Sequence, residues 1–147
     1  MMSMAMEQVA HTKRYKLRVD ADKNRLYFSL RGSGKDASGC ADCIREMQAA
    51  LRRMPAGFTA LTDFTRFQQI SPEWMEPLFN IHQMLITAGV SKEAEIHPSD
   101  IVLCMQLDSV AQHSGIDRQI FADRDRAEAW LDGEDRQPSR FLVVGTR

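Results

Sequence analysis

A short apolar strand that leads into a long apolar helix is the pattern that most constrains the fold of this chain. Thr59–Phe64 has the character of a strand, and Pro72–Ala88 carries apolar residues at helical spacing. Ser71 and Pro72 suit the N-cap and the first helical position, and Gly89 suits the end of the helix. A buried strand that feeds a packed helix is half of a βαβ unit, so the pattern predicts an α/β fold.

The rest of the chain supplies further elements. Alternating residues at Tyr15–Val19 and Arg25–Arg31 predict a hairpin, and helical spacing predicts a helix over 38–54. After the long helix, the sequence predicts a polar loop at Lys92–Ser99, a strand buried on both faces at Asp100–Gln106 and a short helical segment at Asp108–Gly115. A short strand at Gln119–Phe121, a helix at Asp123–Leu131 and a terminal apolar run at Phe141–Val144 follow.

Length and composition bound the class of protein. A chain of 147 residues with 44% hydrophobic residues can bury one core without disulfides. A net charge of −1 gives no electrostatic footprint for nucleic acid, and no apolar run is long enough to span a bilayer. Three cysteines fit reduced thiols and a cytoplasmic location. We expect a disordered tail at 1–14, a domain at 15–133 and a C-terminal extension at 134–147. The apolar run of this extension would form an edge strand or pair with a neighbouring subunit.

The candidate site residues follow the central strand, where sites in open α/β sheets gather. We predict a polar turn over 64–71 that presents Thr65 and Arg66, with Asp63 bonded to the turn and fixing its shape. Ser71 is either a phosphate acceptor at a helix N-terminus or a plain N-cap, and the cap is favoured because serine caps are common. No base, nucleophile or oxyanion motif accompanies Asp63, so we predict no catalytic residue.

The long helix is apolar over an unusually wide part of its surface. It carries two adjacent stripes, which consist of Trp74, Leu78, Ile81, Leu85 and Ala88, and of Met75, Phe79, His82 and Ile86. Such a helix needs cover on more than one side, from the sheet together with a partner subunit or an apolar ligand. Trp74, Met75 and Phe79 are therefore predicted interaction residues.

Two further sets of residues suggest chemistry. Cys40 and Cys43 form a C-x-x-C pair at a helix start, where the dipole lowers a thiol pKa, but a long loop precedes them and Cys40 fits the core stripe, which favours a structural role. The remaining candidates for metal ligands are His82, His97, His113 and Cys104. They lie on different predicted elements without ligand spacing, so we predict no metal and no cofactor.

Two segments resemble the STAS domain of bacterial anti-sigma-factor antagonists, in its SpoIIAA-like branch. Leu61–Phe67 (LTDFTRF) is similar to the central strand of that family, and Ile120–Leu131 (IFADRDRAEAWL) is similar to its closing strand and helix. The resemblance covers about residues 15–131 and implies a central mixed sheet with packed helices. Classical members carry a phosphorylatable serine after the central strand, and here Pro72 falls on that position, with Ser71 one residue before it.

The resemblance implies a non-enzymatic regulatory module, a homodimer that docks an unknown protein partner through the turn 64–71 and the helix 72–88. Two alternatives stay open. The first is a binder of a small apolar ligand or lipid in a pocket beside that helix, since the STAS fold is related in outline to CRAL-TRIO lipid-binding domains. The second is a thiol oxidoreductase that uses Cys40 and Cys43.

Overall fold

The chain alternates strands and helices around one sheet. The computed structural model describes residues 6–34, 40–70 and 72–133, with six strands and four helices. They are β1 (Met6–His11), β2 (Tyr15–Asp20), β3 (Arg25–Gly34), α1 (Cys40–Leu51), β4 (Thr59–Ile70), α2 (Pro72–Ala88), β5 (Lys92–Ile96), α3 (Ile101–Ser114), β6 (Arg118–Phe121) and α4 (Arg124–Leu131). This confirms the predicted α/β fold with a central mixed sheet.

The six strands lie side by side in sequence order. The first three are antiparallel, which confirms the hairpin of β2 and β3, and β3 to β6 are parallel. Because the parallel strands advance in one direction, right-handed crossovers place α1, α2 and α3 on the same side of the sheet. We call that side the covered face; its core includes Leu17, Leu26 and Phe28. Among the described helices, α4 alone packs on the opposite side, the open face, over Tyr27 and Leu61.

The segment predicted as a polar turn is a continuation of β4, so that prediction is wrong. Ser29 pairs with Asp63 while Arg31 pairs with Arg66, which leaves one extra residue on β4, a β-bulge. The bulge directs both Phe64 and Phe67 into the core of the covered face. Backbone partners on the long β3 therefore keep a polar sequence extended.

The loop and strand predicted after α2 are also corrected. Lys92–Ile96 forms β5, and Asp100–Gln106 begins α3 instead of forming a strand. The Asp100 carboxylate accepts a hydrogen bond from the Leu103 amide at 3.1 Å, which caps the helix. One side of α3 is buried through Leu103, Leu107, Val110 and Ala111, so its apolar run follows a helical period.

The N-terminal prediction is partly wrong. Met6–His11 lies within the stretch expected to be disordered, yet it forms β1 and pairs with β2. An edge strand needs backbone partners more than apolar side chains, which is why a polar segment can supply one. Residues 1–5 and 134–147, including the run predicted at Phe141–Val144, lie outside the described residues. The last helix, α4, matches its prediction, with the Asp123 side chain as its cap.

Two contacts fix the ends of the helices. Gly89 ends α2 with φ +97°, and a Cβ there would meet the Ala56 Cβ at 2.8 Å, so the position requires glycine. On the open face, the buried Arg25 guanidinium donates to Asp132 at 2.9 Å and to Glu128, which holds α4 on the sheet. Within the described ranges, no helix is long and apolar enough to cross a membrane.

Candidate functional site

Three polar side chains meet in the interior, between α2 and β5 on the covered face. His82 Nε2 lies 3.4 Å from Glu95 Oε2 and 3.6 Å from Glu93 Oε1. Both carboxyl groups are almost fully buried, each residue being 1% exposed. We call His82, Glu93 and Glu95 the buried cluster. Groups of this charge are rarely taken out of water unless they are paired or bind an ion.

The carboxyl groups of the buried cluster are each held from one side. Thr62 Oγ1 donates to Glu93 Oε2 at 2.8 Å. His97 Nε2 lies 2.8 Å from Glu95 Oε1, and Arg118 Nη1 lies 3.6 Å from the same oxygen. Side chains on β4, on β6 and directly after β5 thus fix both carboxyl groups in orientation.

The imidazole of the buried cluster is held from α3. His82 Nδ1 lies 3.0 Å from Ser114 Oγ, and the Ser114 hydroxyl donates its own hydrogen to the Ala111 carbonyl at 3.0 Å. Because that hydroxyl has only one hydrogen, it accepts from His82, whose Nδ1 therefore carries the proton. The Nε2 atom is the one that faces the carboxylates.

The two carboxyl groups have different electrostatic surroundings. Burial, followed by the negative charge of Glu95, raises the pKa of Glu93 well above its ordinary value. Burial also opposes ionisation of Glu95, but hydrogen bonds from His82 and His97 and the charge of Arg118 together lower its pKa to about 2. Glu95 is therefore a carboxylate, whereas burial and the charge of Glu95 outweigh the positive charge of Arg118 at Glu93.

The sequence does not predict this cluster. Of the four candidate metal ligands, His82, His97, His113 and Cys104, the structure brings only the first two near each other. His113 is exposed and bonds the Ser109 carbonyl, and the Cys104 thiol bonds the Pro98 carbonyl. The missing signal was Glu-Ala-Glu at 93–95, because alternation of this kind on a covered strand places both carboxylates on one face.

Asp63 organises the open face. Its Oδ1 accepts hydrogen bonds from the Thr65 amide at 2.8 Å and the Thr65 hydroxyl at 2.6 Å. Its Oδ2 accepts from Arg124 Nη2 at 3.1 Å. Asp63 thus bonds the residues that follow it, as expected, although it does so at a bulge within β4.

Arg66, the third predicted residue of this segment, lines a depression on the open face. The depression has a volume of ≈ 240 Å³, and it is lined by Lys16, Arg18, Ser29, Leu30, Arg31, Asp63, Arg66 and Arg124. We call it the basic depression, since five cations surround a single carboxylate. Repulsion from Arg18 is the main cause that lowers the pKa of Lys16, with burial and other arginines contributing.

The predicted residues of α2 have different surroundings. Trp74 is buried, with its ring edge-on to Phe67 at 5.7 Å between centroids, so it belongs to the core. Phe79 is half-buried against that core. Met75 lines an open groove of ≈ 520 Å³ between α2 and α3, together with Pro72, Val102, Met105, Gln106 and Ser109. We call this the apolar groove.

A second open groove, of ≈ 510 Å³, lies on the other flank of α2, against α1. It mixes apolar side chains with polar ones and is lined by Gln48, Leu51, Arg52, Gln83, Met84, Thr87 and Ala88. Both grooves beside α2 are open to solvent, whereas a lipid pocket typically encloses most of its ligand.

The remaining predicted residues concern modification and redox chemistry. Ser71 lies outside the described residues. Cys40 and Cys43 occupy the start of α1, as the spacing predicts, and their two sulfurs are not joined in a disulfide. Burial, with contributions from Cys40 and Glu46, raises the pKa of Cys43 to about 12. A reactive thiol needs the opposite shift, so the geometry does not favour the oxidoreductase alternative.

The mixed sheet, the crossover helices on one face and the closing strand and helix have the α/β arrangement that the STAS resemblance implies. No family model matches the chain, and neither does any curated protein. Among solved structures, apo-SiaC from Pseudomonas aeruginosa is similar, with a TM-score of 0.53 and 12% sequence identity. The match covers 80% of this chain and 98% of SiaC. At this identity the likeness shows the fold alone.

Proposed function

We propose that this chain is a non-enzymatic regulatory module that binds a protein partner in the apolar groove. The observation that carries the proposal is the exposure of the first turns of α3. Ile101, Val102 and Met105 are 72%, 49% and 66% exposed, respectively, although all three are apolar. A contiguous exposed apolar patch beside a groove is typical of a protein interaction site.

The chemistry of the groove indicates the kind of partner that it would accept. Val102 and Met105 line one wall of the groove, and Pro72 and Met75 line the other. A groove between two helices with flexible methionine side chains suits the apolar face of an amphipathic helix. We therefore expect the partner to contribute a helix with apolar side chains at positions i and i+3 or i+4.

This proposal narrows the docking surface expected from the sequence. Met75 remains at its centre, Phe79 stands at its margin, and Trp74 supports it from the core. Thr65 and Arg66 are exposed on β4, and Arg66 lines the basic depression, which would meet acidic groups of a partner. The homodimer and the cytoplasmic location remain predictions.

Substitution in the groove tests the proposal. We would introduce a photo-crosslinker at Met105, identify the crosslinked protein in the host, and measure its affinity with both proteins purified. Met105→Asp is expected to weaken that complex at least about 30-fold, since a central apolar contact is worth about 2 kcal/mol. Ile120→Asp is the matched control, because Ile120 is 42% exposed on β6, outside the groove.

Two results would contradict this assignment. Equal affinity of the Met105→Asp and Ile120→Asp variants would exclude the groove as the docking site. A crosslink to a second copy of the chain, with a dimer that Met105→Asp dissociates, would make the groove the dimer interface instead. Native mass spectrometry distinguishes these cases, and a stoichiometric lipid mass in the same spectrum would favour the apolar-ligand alternative.

A further inference from the structure

We propose that His82, Glu93 and Glu95 bind a divalent metal ion of the zinc class inside the protein. One ligand atom of each residue faces the same small volume, and these atoms all lie within 4.8 Å of one another. The proposal is independent of the proposed function, because the buried cluster is distinct from the apolar groove.

The distances fit tetrahedral coordination. Zinc binds histidine nitrogen and carboxylate oxygen at about 2.1 Å, so two ligands of a tetrahedron lie about 3.4 Å apart. The two distances from His82 Nε2 are 3.4 Å to Glu95 and 3.6 Å to Glu93. Both distances exceed the typical hydrogen-bond length of about 2.9 Å.

Each ligand is held by its other polar atom, as in known metal sites. Metal-binding histidines donate through the second ring nitrogen, and metal-binding carboxylates are themselves hydrogen-bonded. Here Ser114 holds Nδ1 of His82, Thr62 holds Oε2 of Glu93, and His97 holds Oε1 of Glu95. The remaining atoms, Nε2, Oε1 and Oε2, are the three that converge.

The chain alone leaves one of these atoms unsatisfied. Glu93 Oε1 is a buried oxygen that makes no hydrogen bond within the described part of the chain. Buried polar atoms of this kind are rare and indicate an unplaced water or ion. Because Nδ1 of His82 bonds Ser114, its Nε2 faces the two carboxyl groups, and a cation at the centre would interact favourably with all three.

Charge and ligand type point to the same class of ion. Arg118 donates to Asp108 at 2.6 Å, so its charge is matched outside the cluster. Two carboxylates and one divalent ion would then be neutral overall. A histidine ligand favours Zn²⁺ over Mg²⁺ or Ca²⁺, which prefer all-oxygen sites. Because the site is buried, the ion would have a structural role and fasten α2 to β5.

Refolding of the full chain with defined metal tests the proposal. The protein would be unfolded with chelator and reductant, refolded with or without Zn²⁺, desalted, and analysed for bound zinc and melting temperature. We expect one zinc per chain. At free Zn²⁺ about a hundredfold above Kd, we also expect Tm to rise by about 5–10 °C. Co²⁺ should give the intense visible absorption of a tetrahedral site.

Three variants test whether the buried cluster holds the zinc. Glu93→Gln, which keeps the shape of the side chain, should abolish zinc retention and the Tm rise. Glu76→Gln, on the exposed side of α2, is the matched control and should retain both. Cys40→Ser tests whether thiolates bind the zinc instead. We expect this variant to bind one zinc per chain, as the wild type does.

The wild-type protein alone can overturn the proposal, even if a variant fails to fold. Refolding to the same Tm with and without Zn²⁺, and with no zinc retained, would identify the cluster as two carboxyl groups that share a proton. Zinc retained by Glu93→Gln but lost in Cys40→Ser would place the ion on the cysteines. Either result excludes the site described here.

Discussion

The two faces of the sheet hold charged groups of the same kinds in very different surroundings. On the covered face, Glu95 is 1% exposed and is surrounded by His82, His97 and Arg118, which come from α2, from the segment after β5 and from β6. On the open face, the side chains of Asp63 and Arg124 pair while 20% and 41% exposed. The attraction of two charges at 4 Å is about 4 kcal/mol near a protein surface and about 1 kcal/mol in water. Burial, more than residue type, therefore decides whether a charge supports this fold or remains available for recognition.

Removal of Glu95 should have the largest effect on stability. Glu95→Ala would leave His97 and Arg118 beside an emptied, buried position. Breaking a buried charge pair typically costs about 3–5 kcal/mol, and we expect a loss of that size in the free energy of unfolding. Urea denaturation measures it, and a loss below about 1 kcal/mol would show that solvent reaches the cluster.

Arg25 provides an intermediate case on the open face. Its side chain is 3% exposed, but its partners Glu128 and Asp132 are 25% and 34% exposed. Arg25→Ala should cost about 2 kcal/mol, less than Glu95→Ala, because water can solvate both carboxylates and the Tyr27 hydroxyl still donates to Glu128 at 2.8 Å. Denaturation by urea again measures the change, and hydrogen exchange should show faster opening of α4. An equal loss of unfolding free energy in Arg25→Ala and Glu95→Ala would contradict the proposed order of effects.

Asp63 should contribute less to stability than Arg25 does. Asp63→Ala removes the ion pair with Arg124 and both hydrogen bonds from Thr65, for an expected cost of about 1 kcal/mol. Asp63→Asn should recover part of this loss, because an amide oxygen can still accept from Thr65. If Asn is no better than Ala in denaturant unfolding, the ion pair, and not the bonded bulge, provides the stability.

The contrast between the buried charged groups of the covered face and the exposed ones of the open face also explains which parts of the molecule the sequence could predict. The hairpin, α2 and α4 were predictable because their apolar spacing and caps are local signals. The sequence does not predict β5, because two glutamates occupy the face that strands usually fill with apolar residues, and their partners come from α2 and β6. Without β5, the apolar start of α3 has the pattern of a strand. The exposure of Met105 could not be predicted from the sequence either, because it depends on which elements pack beside α3 and not on the type of residue.

The smallest change in unfolding free energy should come from the basic depression, where a substitution should stabilise the chain instead of destabilising it. Arg18 and other cations repel Lys16, so Lys16→Gln should stabilise the chain slightly, within about 0.5 kcal/mol. Salt should remove the gain, since screening at about 1 M reduces the Debye length to about 3 Å.

Because the pKa of Lys16 is lowered from 10.5, the unfolded chain holds that proton more tightly, and the wild type should gain stability as pH rises through the folded pKa. The advantage of the variant should then disappear near pH 10.5, which urea midpoints at two salt concentrations and several pH values would detect. A salt-independent change would mean that Lys16 acts through packing, and the depression would then be no more than a part of the sheet surface that happens to carry arginines.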